Sequence, residues 1–219
     1  MRRLLNGTLR DAVRELSLRD PFLGGIADRW GAPPMWGRPT GFATLVRIIL
    51  EQQVSLAAAA TLYKRLVRDA GGMTPNAIAA MGISGLREFG LTRQKSAFCH
   101  GLALRILDGS LDLAAVSRAP DDAGRAMLLS VHGLGPWSVD IYFLMALRRP
   151  DIWPQGDLAL AVTLRDGLGL GRVPSREEQL SIAEGWRPWR SVAARLVWTE
   201  YLGTRRKLQV RIPFPPAVS

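Results

Sequence analysis

One carboxylate in this chain stands where it could do chemistry. Asp157 follows four turn-forming residues, Trp153-Pro154-Gln155-Gly156, and precedes an apolar segment, so it is expected to begin a helix. Earlier in the chain, two apolar segments are joined by a hairpin with the sequence His132-Gly133-Leu134-Gly135-Pro136. Glycine allows a positive φ and a close approach by whatever docks there. The pattern indicates an anion-binding turn followed by a single acid.

The hairpin predicts a phosphate site because a helix should begin at its end. Pro136 occupies the first helical position, where its fixed φ and missing N–H are tolerated. The first turn of a helix presents N–H groups and the positive end of the helix dipole, which attract a phosphate. Gly133 and Gly135 are both expected to use the freedom of glycine in this turn. For Asp157 the alternative is an ordinary N-cap, a frequent use of aspartate.

Helical periodicity runs through almost the whole chain and predicts an all-α fold. Capping signals support several of the starts: Ser55, Thr74 before Pro75, Thr92, and Ser175 with Glu178 in a capping-box pattern. The predicted helices cover residues 4–19, 22–30, 41–67 with a break at 52–55, starts near 74, 84, 92 and 120, then 137–147, 158–166, a start at 175, and 192–201.

Composition limits the class of protein. The chain has 219 residues, 47% hydrophobic and 22% charged, which is typical of a globular protein. A single cysteine, Cys99, excludes an internal disulfide, fits a reducing cytoplasm and is expected to be a small buried side chain. The apolar run 141–147 is too short to span a membrane. His100, His132 and Cys99 lack metal-ligand spacing, so no metal is expected on side chains.

The net charge of +10 favours a polyanionic partner. The alternatives are a basic surface kept for solubility and the arginine bias of a high-GC genome. Charge therefore supports the phosphate-binding interpretation of the hairpin without establishing it.

The chain resembles the helix-hairpin-helix (HhH-GPD) DNA glycosylase superfamily, whose signature is a hairpin of the form L-x-G-x-G followed by a catalytic aspartate. Here these are residues 131–135 and Asp157. Within the superfamily it is most similar to the bacterial 3-methyladenine DNA glycosylase II branch. Further agreement comes from Gln52-Gln53-Val54-Ser55, Lys95, Gly135-Pro136-Trp137, and Trp189-Arg190-Ser191 with Trp198. The resemblance covers about residues 20–202, without the extra N-terminal domain of longer members.

The resemblance implies a two-lobed all-α fold with a DNA-binding cleft between the lobes. The inner lobe would comprise residues 40–154 and contain the helix-hairpin-helix at about 120–147. The outer lobe would combine the N-terminal helices, 1–39, with the C-terminal part, 155–219.

Trp137 distinguishes two mechanisms within the superfamily. Bifunctional members have a lysine there, which attacks the sugar and goes on to cut the strand. Tryptophan cannot form a Schiff base, so the chain resembles the monofunctional type. Asp157 would then be the catalytic residue, either by stabilising positive charge on the deoxyribose or by activating water.

The remaining site residues are also implied by the resemblance. The base pocket is expected to be lined by Trp137, Trp198, Tyr142 and Trp36, with Trp30 as an alternative to Trp36. The branch often has tyrosines where this chain has Ile141 and Leu158, which leaves the range of bases open. DNA binding is expected of Gln53, as the wedge that fills the gap left by a flipped base, and of His132, Gly133, Gly135, Pro136, Lys95 and Arg190. Asp140 is expected to be a structural or solvated carboxylate.

The resemblance implies a monofunctional glycosylase that removes alkylated purines of the 3-methyladenine and 7-methylguanine type in base excision repair. Its partner would be double-stranded DNA containing damaged bases. It would act as a monomer in the bacterial cytoplasm, at the nucleoid, with no cofactor except Na⁺ or K⁺ on the hairpin carbonyls. Two alternatives remain open: a glycosylase for deaminated or oxidised bases, and a non-catalytic helix-hairpin-helix DNA-binding protein. The presence of Asp157 is evidence against the second alternative.

Overall fold

The computed structural model describes residues 3–208, and side chains as far as residue 205. Over these residues the regular structure is helical and contains no strand, which confirms the all-α prediction. The helices are α1 (Asn6–Arg19), α2 (Pro21–Trp30), α3 (Phe42–Glu51), α4 (Leu56–Asp69), α5 (Pro75–Glu88), α6 (Arg93–Leu107), α7 (Leu113–Arg118), α8 (Asp121–Leu129), α9 (Pro136–Ile141), α10 (Leu158–Gly167), α11 (Arg176–Glu184) and α12 (Arg190–Leu208). Residues Tyr142–Ala146 continue α9 as a π-helix.

The predicted helix starts are confirmed where a side chain caps the helix. The hydroxyls of Ser55, Thr74 and Thr92 each accept a hydrogen bond from a backbone N–H three residues later. At α11, Ser175 and Glu178 form the full capping box. These caps stabilise helix ends because they pair N–H groups that have no partner inside the helix.

One predicted helix start is displaced slightly, and one helix was missed. The range of α5 contains a kink at Gly82, whose φ of +62° only glycine adopts easily, so a second helical segment begins directly after it, one residue before the predicted start at Ser84. The short helix α7 was not predicted, although Asp112 caps it by accepting a hydrogen bond from Ala114 N. Its six residues are too few to show a period.

The chain divides into two compact units. One consists of Trp36–Arg149 with Arg3, and the other of Leu4–Met35 with the described residues from Pro150 onward. The predicted lobe limits, residues 40 and 154, lie a few residues further along the chain. Part of the predicted outer lobe, residues 209–219, lies outside the described residues.

The first unit is built around α3. Five of its apolar side chains are almost fully buried: Leu45, Val46, Ile48, Ile49 and Leu50. This helix packs against α4, α6 and the continuous helix formed by α9 and the π segment. The core of the unit therefore holds the second helix of the hairpin in place.

The second unit is built around α12, which packs against α1, α2, α10 and α11. Residues 191–198 of α12 are all buried. Two buried tryptophans of this unit donate the indole N–H to a carboxylate: Trp186 to Asp20 at 2.6 Å, and Trp189 to Glu15 at 2.7 Å. An indole nitrogen that is buried needs such an acceptor, so these tryptophans tie the N-terminal helices to the C-terminal ones.

Among the described residues no helix is both long enough and apolar enough to cross a membrane. Cys99 is fully buried on α6, as expected from the sequence. Burial raises the pKa of its thiol to about 12, although the nearby ammonium of Lys95 acts in the opposite direction.

Candidate functional site

Asp157 is the N-cap of α10, and its side chain is held by two N–H donors on one oxygen. Its Oδ1 accepts hydrogen bonds from Leu160 N at 3.0 Å and from Trp198 Nε1 at 3.1 Å. The carboxylate also lies at the positive end of the helix dipole. Asp157 is thus both an N-cap and a half-buried carboxylate of fixed orientation. The N-cap interpretation and the catalytic prediction are compatible.

The turn that leads to Asp157 is closely packed. Trp153 is buried, and its ring centroid lies 5.3 Å from that of Trp186. Gly156 has a φ of +76°, and a Cβ at that position would come within 3.1 Å of the Arg176 guanidinium. The positive φ favours glycine at this position. The turn before Asp157 therefore depends on the conformational freedom of Gly156.

The hairpin forms as the sequence predicts at Gly133 but not at Gly135. Gly133 has a φ of +96°, and a Cβ there would come within 2.2 Å of Phe98 Cγ. Gly135 instead has an extended backbone with a φ of −82°, and its Cβ position has nothing within 4 Å. The residue before a proline is restricted to extended conformations, so Pro136, which does start α9, explains the correction.

Two ion pairs, each with one buried member, stabilise the hairpin. Asp140 on α9 is fully buried and pairs with Arg125 on α8. Arg149 pairs with Asp121 at 3.1 Å and donates to Ser117 O at 2.8 Å. The structural interpretation of Asp140 is therefore confirmed, and the hairpin is a rigid element because breaking a buried pair is costly.

The tip of the hairpin is exposed. His132 is on the surface, and its ring meets the edge of Phe98 at a centroid distance of 4.8 Å. Gly135 and Pro136 are also exposed, and Gly133 is half-buried. DNA binding by these four residues stays a prediction.

Residues 52–55, called the wedge turn here, connect α3 to α4. Gln53 is exposed and has a φ of +57°, which few residues other than glycine adopt. Beside it, Val54 and Leu56 expose 47% and 56% of their surfaces. An outward glutamine flanked by exposed apolar side chains is consistent with the wedge role, which stays a prediction.

Lys95 is placed differently from the prediction. Its ammonium donates to Leu50 O at 2.7 Å and to Gln52 O at 2.8 Å, at the C-terminal end of α3. Burial lowers its pKa. The correction is that Lys95 stabilises the backbone at the wedge turn, because two of its three donors are already used in hydrogen bonds inside the protein.

Arg190 is also corrected. Its guanidinium makes a two-pronged ion pair with Asp151, with a shortest distance of 2.8 Å, and it reaches Glu184 at 2.9 Å. A third contact goes to the carbonyl of Asp151 at 3.0 Å. With its donors directed at these groups, Arg190 anchors the start of α12, a structural role that the sequence did not predict.

Two of the aromatic residues considered for the base pocket have structural contacts instead. Tyr142 is fully buried in the first unit, its hydroxyl accepts a hydrogen bond from Gly41 N at 2.9 Å, and burial raises its pKa. It is a core residue, and its assignment as a pocket wall is wrong. Trp30 packs on Gly203 of α12 and donates to Glu200 at 2.6 Å, so it too is structural.

The other aromatic candidates keep their assignments as predictions. Trp137 and Trp36 are half-buried, and Trp36 has an unusual φ of +44°. Trp198 is buried and has a second role that the sequence did not predict, since it donates to Asp157. Over residues 3–208, no group of three or more His, Cys, Asp or Glu side chains could hold a metal ion.

The sequence analysis did not assign a role to Gln52. Its side-chain amide donates to Gly133 O at 2.9 Å and to Ser138 Oγ at 2.8 Å. The sequence shows only that Gln52 is a polar residue at the end of an apolar helix. This does not indicate which groups its side chain would contact. The two acceptors lie 81 and 86 positions after Gln52 in the sequence, which is beyond the reach of local patterns.

Residues 46–188 match the model of the HhH-GPD superfamily of base excision DNA repair proteins. The match covers more than half of the chain and includes the wedge turn, the hairpin and Asp157. The chain belongs to this superfamily, as its sequence resemblance predicted.

The proteins similar to this chain include several that are named 3-methyladenine DNA glycosylases. A DNA-3-methyladenine glycosylase of Bacillus subtilis is 26% identical over 196 residues, which are 84% of this chain and 65% of that protein. The chain thus spans slightly less than two thirds of this relative. Among solved structures, a DNA-3-methyladenine glycosidase of Bacillus halodurans has a TM-score of 0.74 at 24% identity, covering 90% of this chain and 91% of that one. The 3-methyladenine DNA glycosylase of Schizosaccharomyces pombe, in complex with abasic DNA, has a TM-score of 0.74 at 22% identity, covering 86% and 95%. These structures establish the similarity of fold.

Proposed function

We propose that the protein is a monofunctional DNA glycosylase that hydrolyses the N-glycosidic bond of alkylated purines, of the 3-methyladenine and 7-methylguanine type, in base excision repair. One observation carries the proposal: the Asp157 carboxylate is held at the start of α10 by Leu160 N and Trp198 Nε1. The names of the relatives support the same class of substrate.

In the proposed reaction the bond between C1′ and the purine nitrogen breaks, and the base takes the bonding electrons. An alkylated purine carries a positive charge, so it leaves as a neutral base. Asp157 stabilises the positive charge that develops on the deoxyribose or orients the attacking water. The water oxygen bonds to C1′ and its proton is lost to solvent, which leaves an abasic site.

The proposed reaction stops at the abasic site. Trp137 occupies the position of the lysine in bifunctional members, and an indole cannot form an imine with the sugar. Lys95 is engaged with Leu50 O and Gln52 O. The phosphodiester backbone of the product is therefore expected to remain intact.

Binding to the duplex is proposed to use the hairpin and the wedge turn. The hairpin contacts phosphate at the start of α9, a contact that positions the protein without reading sequence. Gln53 enters the stack when the target nucleotide leaves it, and damaged bases leave most easily. The net charge of +10 adds long-range attraction. We further propose that the protein acts as a monomer on nucleoid DNA of a bacterial cytoplasm.

A monovalent cation on the hairpin carbonyls is part of the proposal. Val131 O accepts from Leu134 N and Gly133 O from Gln52 Nε2, and a carbonyl has a second lone pair. The free lone pairs of these carbonyls would hold a weakly bound Na⁺ or K⁺, which would add positive charge at the phosphate contact.

A panel of duplexes tests the proposal, each with one defined lesion, together with randomly methylated DNA analysed for released bases. Release of 3-methyladenine and 7-methylguanine is expected. Release only from duplexes with hypoxanthine, uracil or 8-oxoguanine would favour the second type of glycosylase. Binding to every duplex with no base released would identify a non-catalytic DNA-binding protein.

A further inference from the structure

The hairpin and the wedge turn are joined by one side chain. Gln52, the last residue before the outward Gln53, directs its amide nitrogen to Gly133 O at 2.9 Å and to Ser138 Oγ at 2.8 Å. The first acceptor belongs to the hairpin, and the second, which is buried, belongs to the helix that follows it. A single NH₂ group therefore bridges the element expected to hold phosphate and the element expected to enter the base stack.

Helix α6 closes this connection into a ring of contacts. Lys95 on α6 donates to the carbonyls of Leu50 and Gln52, which fixes the backbone of the wedge turn. Phe98, one turn further along the same helix, fills the space beside Gly133, so that the hairpin rests directly on α6. The hairpin and the wedge turn are thus each fixed to α6 and also to each other.

The backbone of the wedge turn requires such support. Gln53 has a left-handed φ of +57°, a conformation that costs free energy for a residue with a side chain. Such conformations persist where the surrounding structure over-determines them, and they cluster at functional sites. Gln52 and Lys95 supply fixed contacts on the side of the turn that precedes Gln53.

We propose that Gln52 is a positioning residue that couples phosphate binding at the hairpin to insertion of Gln53 into the base stack. The proposal rests on the proposed function, because it assumes that this face meets duplex DNA. When the hairpin docks on a phosphate, the Gln52 bridge sets the depth at which Gln53 meets the target nucleotide. Without the bridge, the hairpin still binds but the wedge turn is no longer held in register with it.

The test uses Gln52→Met, which keeps the length of the side chain and adds no charge but removes both donors. The matched control is Gln94→Met, since Gln94 is exposed on α6 next to Lys95. Ser138→Ala is the second variant, because it removes one acceptor and leaves the wedge turn unchanged. Each full-length protein is titrated with a duplex carrying one mispaired 2-aminopurine, whose fluorescence rises when the base leaves the stack, and with a fully paired duplex.

For Gln52→Met we expect affinity for the paired duplex within about twofold of wild type and an eversion equilibrium reduced about tenfold. Ser138→Ala should reduce eversion about threefold, and Gln94→Met should change neither quantity. The coupling role would be overturned by equal loss of affinity and eversion, or by unchanged eversion. If Gln52→Met does not fold, Ser138→Ala decides by the same criterion.

The outcome is separable from that of the proposed function. A wild-type protein that everts 2-aminopurine but releases no base from methylated DNA contradicts the glycosylase assignment and leaves the coupling intact. A wild-type protein that binds the duplex without any rise in fluorescence overturns the coupling, whichever bases it releases.

Discussion

The indole Nε1 of Trp198 lies 3.1 Å from Oδ1 of Asp157, across 41 positions of sequence. The contact joins α12, the central helix of its unit, to the N-cap residue of α10. Leu160 N donates to the same oxygen, so a donor from its own helix and a donor from α12 both orient the carboxylate. Trp198 is therefore a positioning residue for the proposed catalytic carboxylate as well as a candidate for the pocket wall.

Trp198→Phe separates these two roles. Phenylalanine keeps an aromatic face but has no N–H, while the Leu160 cap on Asp157 remains. A hydrogen bond to a charged group contributes about 1.5–3 kcal/mol, so we expect the single-turnover rate of base release to fall about tenfold or more. Affinity for undamaged duplex should not change. An unaltered excision rate would restrict Trp198 to packing.

The two glycines of the hairpin should respond differently to alanine. Gly133→Ala must push against Phe98 and adopt a positive φ, at a cost of about 3 kcal/mol in the free energy of unfolding. Gly135→Ala has a compatible φ and open space, so a change within about 0.5 kcal/mol is expected. Denaturant unfolding of both variants measures this.

The Gly133→Ala variant also tests the proposed phosphate contact. Gly133→Ala should weaken binding to damaged and undamaged duplexes by the same factor, because a phosphate contact carries no information on the base. A loss confined to damaged DNA would contradict the role of the hairpin as a phosphate anchor.

The DNA product should remain unbroken until it is treated with alkali. Trp137 cannot attack the sugar, and the ammonium of Lys95 donates hydrogen bonds to two backbone carbonyls. Borohydride should therefore trap no covalent complex. An adduct formed by the wild-type protein and lost in Lys95→Ala would overturn the monofunctional assignment and identify Lys95 as the nucleophile.

Cys99 should report global unfolding. Its thiol is fully buried and burial raises its pKa to about 12, so at pH 8 it is neutral and inaccessible in the folded state. In the unfolded state the pKa returns to its ordinary value and the thiolate becomes available. Labelling with a disulfide reagent at pH 8 should be slow in buffer and fast in denaturant. Rapid labelling of the native protein would show that α6 opens locally.

The features predicted correctly from the sequence depend on local chemistry. The caps at Ser55, Thr92 and Ser175 follow from side chains that reach a backbone N–H within one turn. The start of α9 at Pro136 follows from the fixed φ of proline. These features could be predicted because both partners are close together in the chain.

The features that were mispredicted depend on contacts between distant residues. Lys95 and Arg190 were expected to bind DNA because they are basic, but their partners are Leu50 O and Asp151. Tyr142 was expected in the pocket, whereas it is buried in the core and its hydroxyl accepts a hydrogen bond from Gly41 N. A sequence pattern does not distinguish a cation that meets phosphate from one that meets a carbonyl, because both roles use the same side chain.

The central claim is tested most directly by Asp157→Asn on randomly methylated duplex DNA. Asparagine is an equally good N-cap, so the thermal unfolding midpoint and the duplex affinity should remain close to those of wild type. The rate of 3-methyladenine and 7-methylguanine release at saturating enzyme should fall about a hundredfold or more, because the negative charge at the sugar is lost. Release at the wild-type rate by a folded Asp157→Asn variant would contradict the assignment of Asp157 as the catalytic carboxylate.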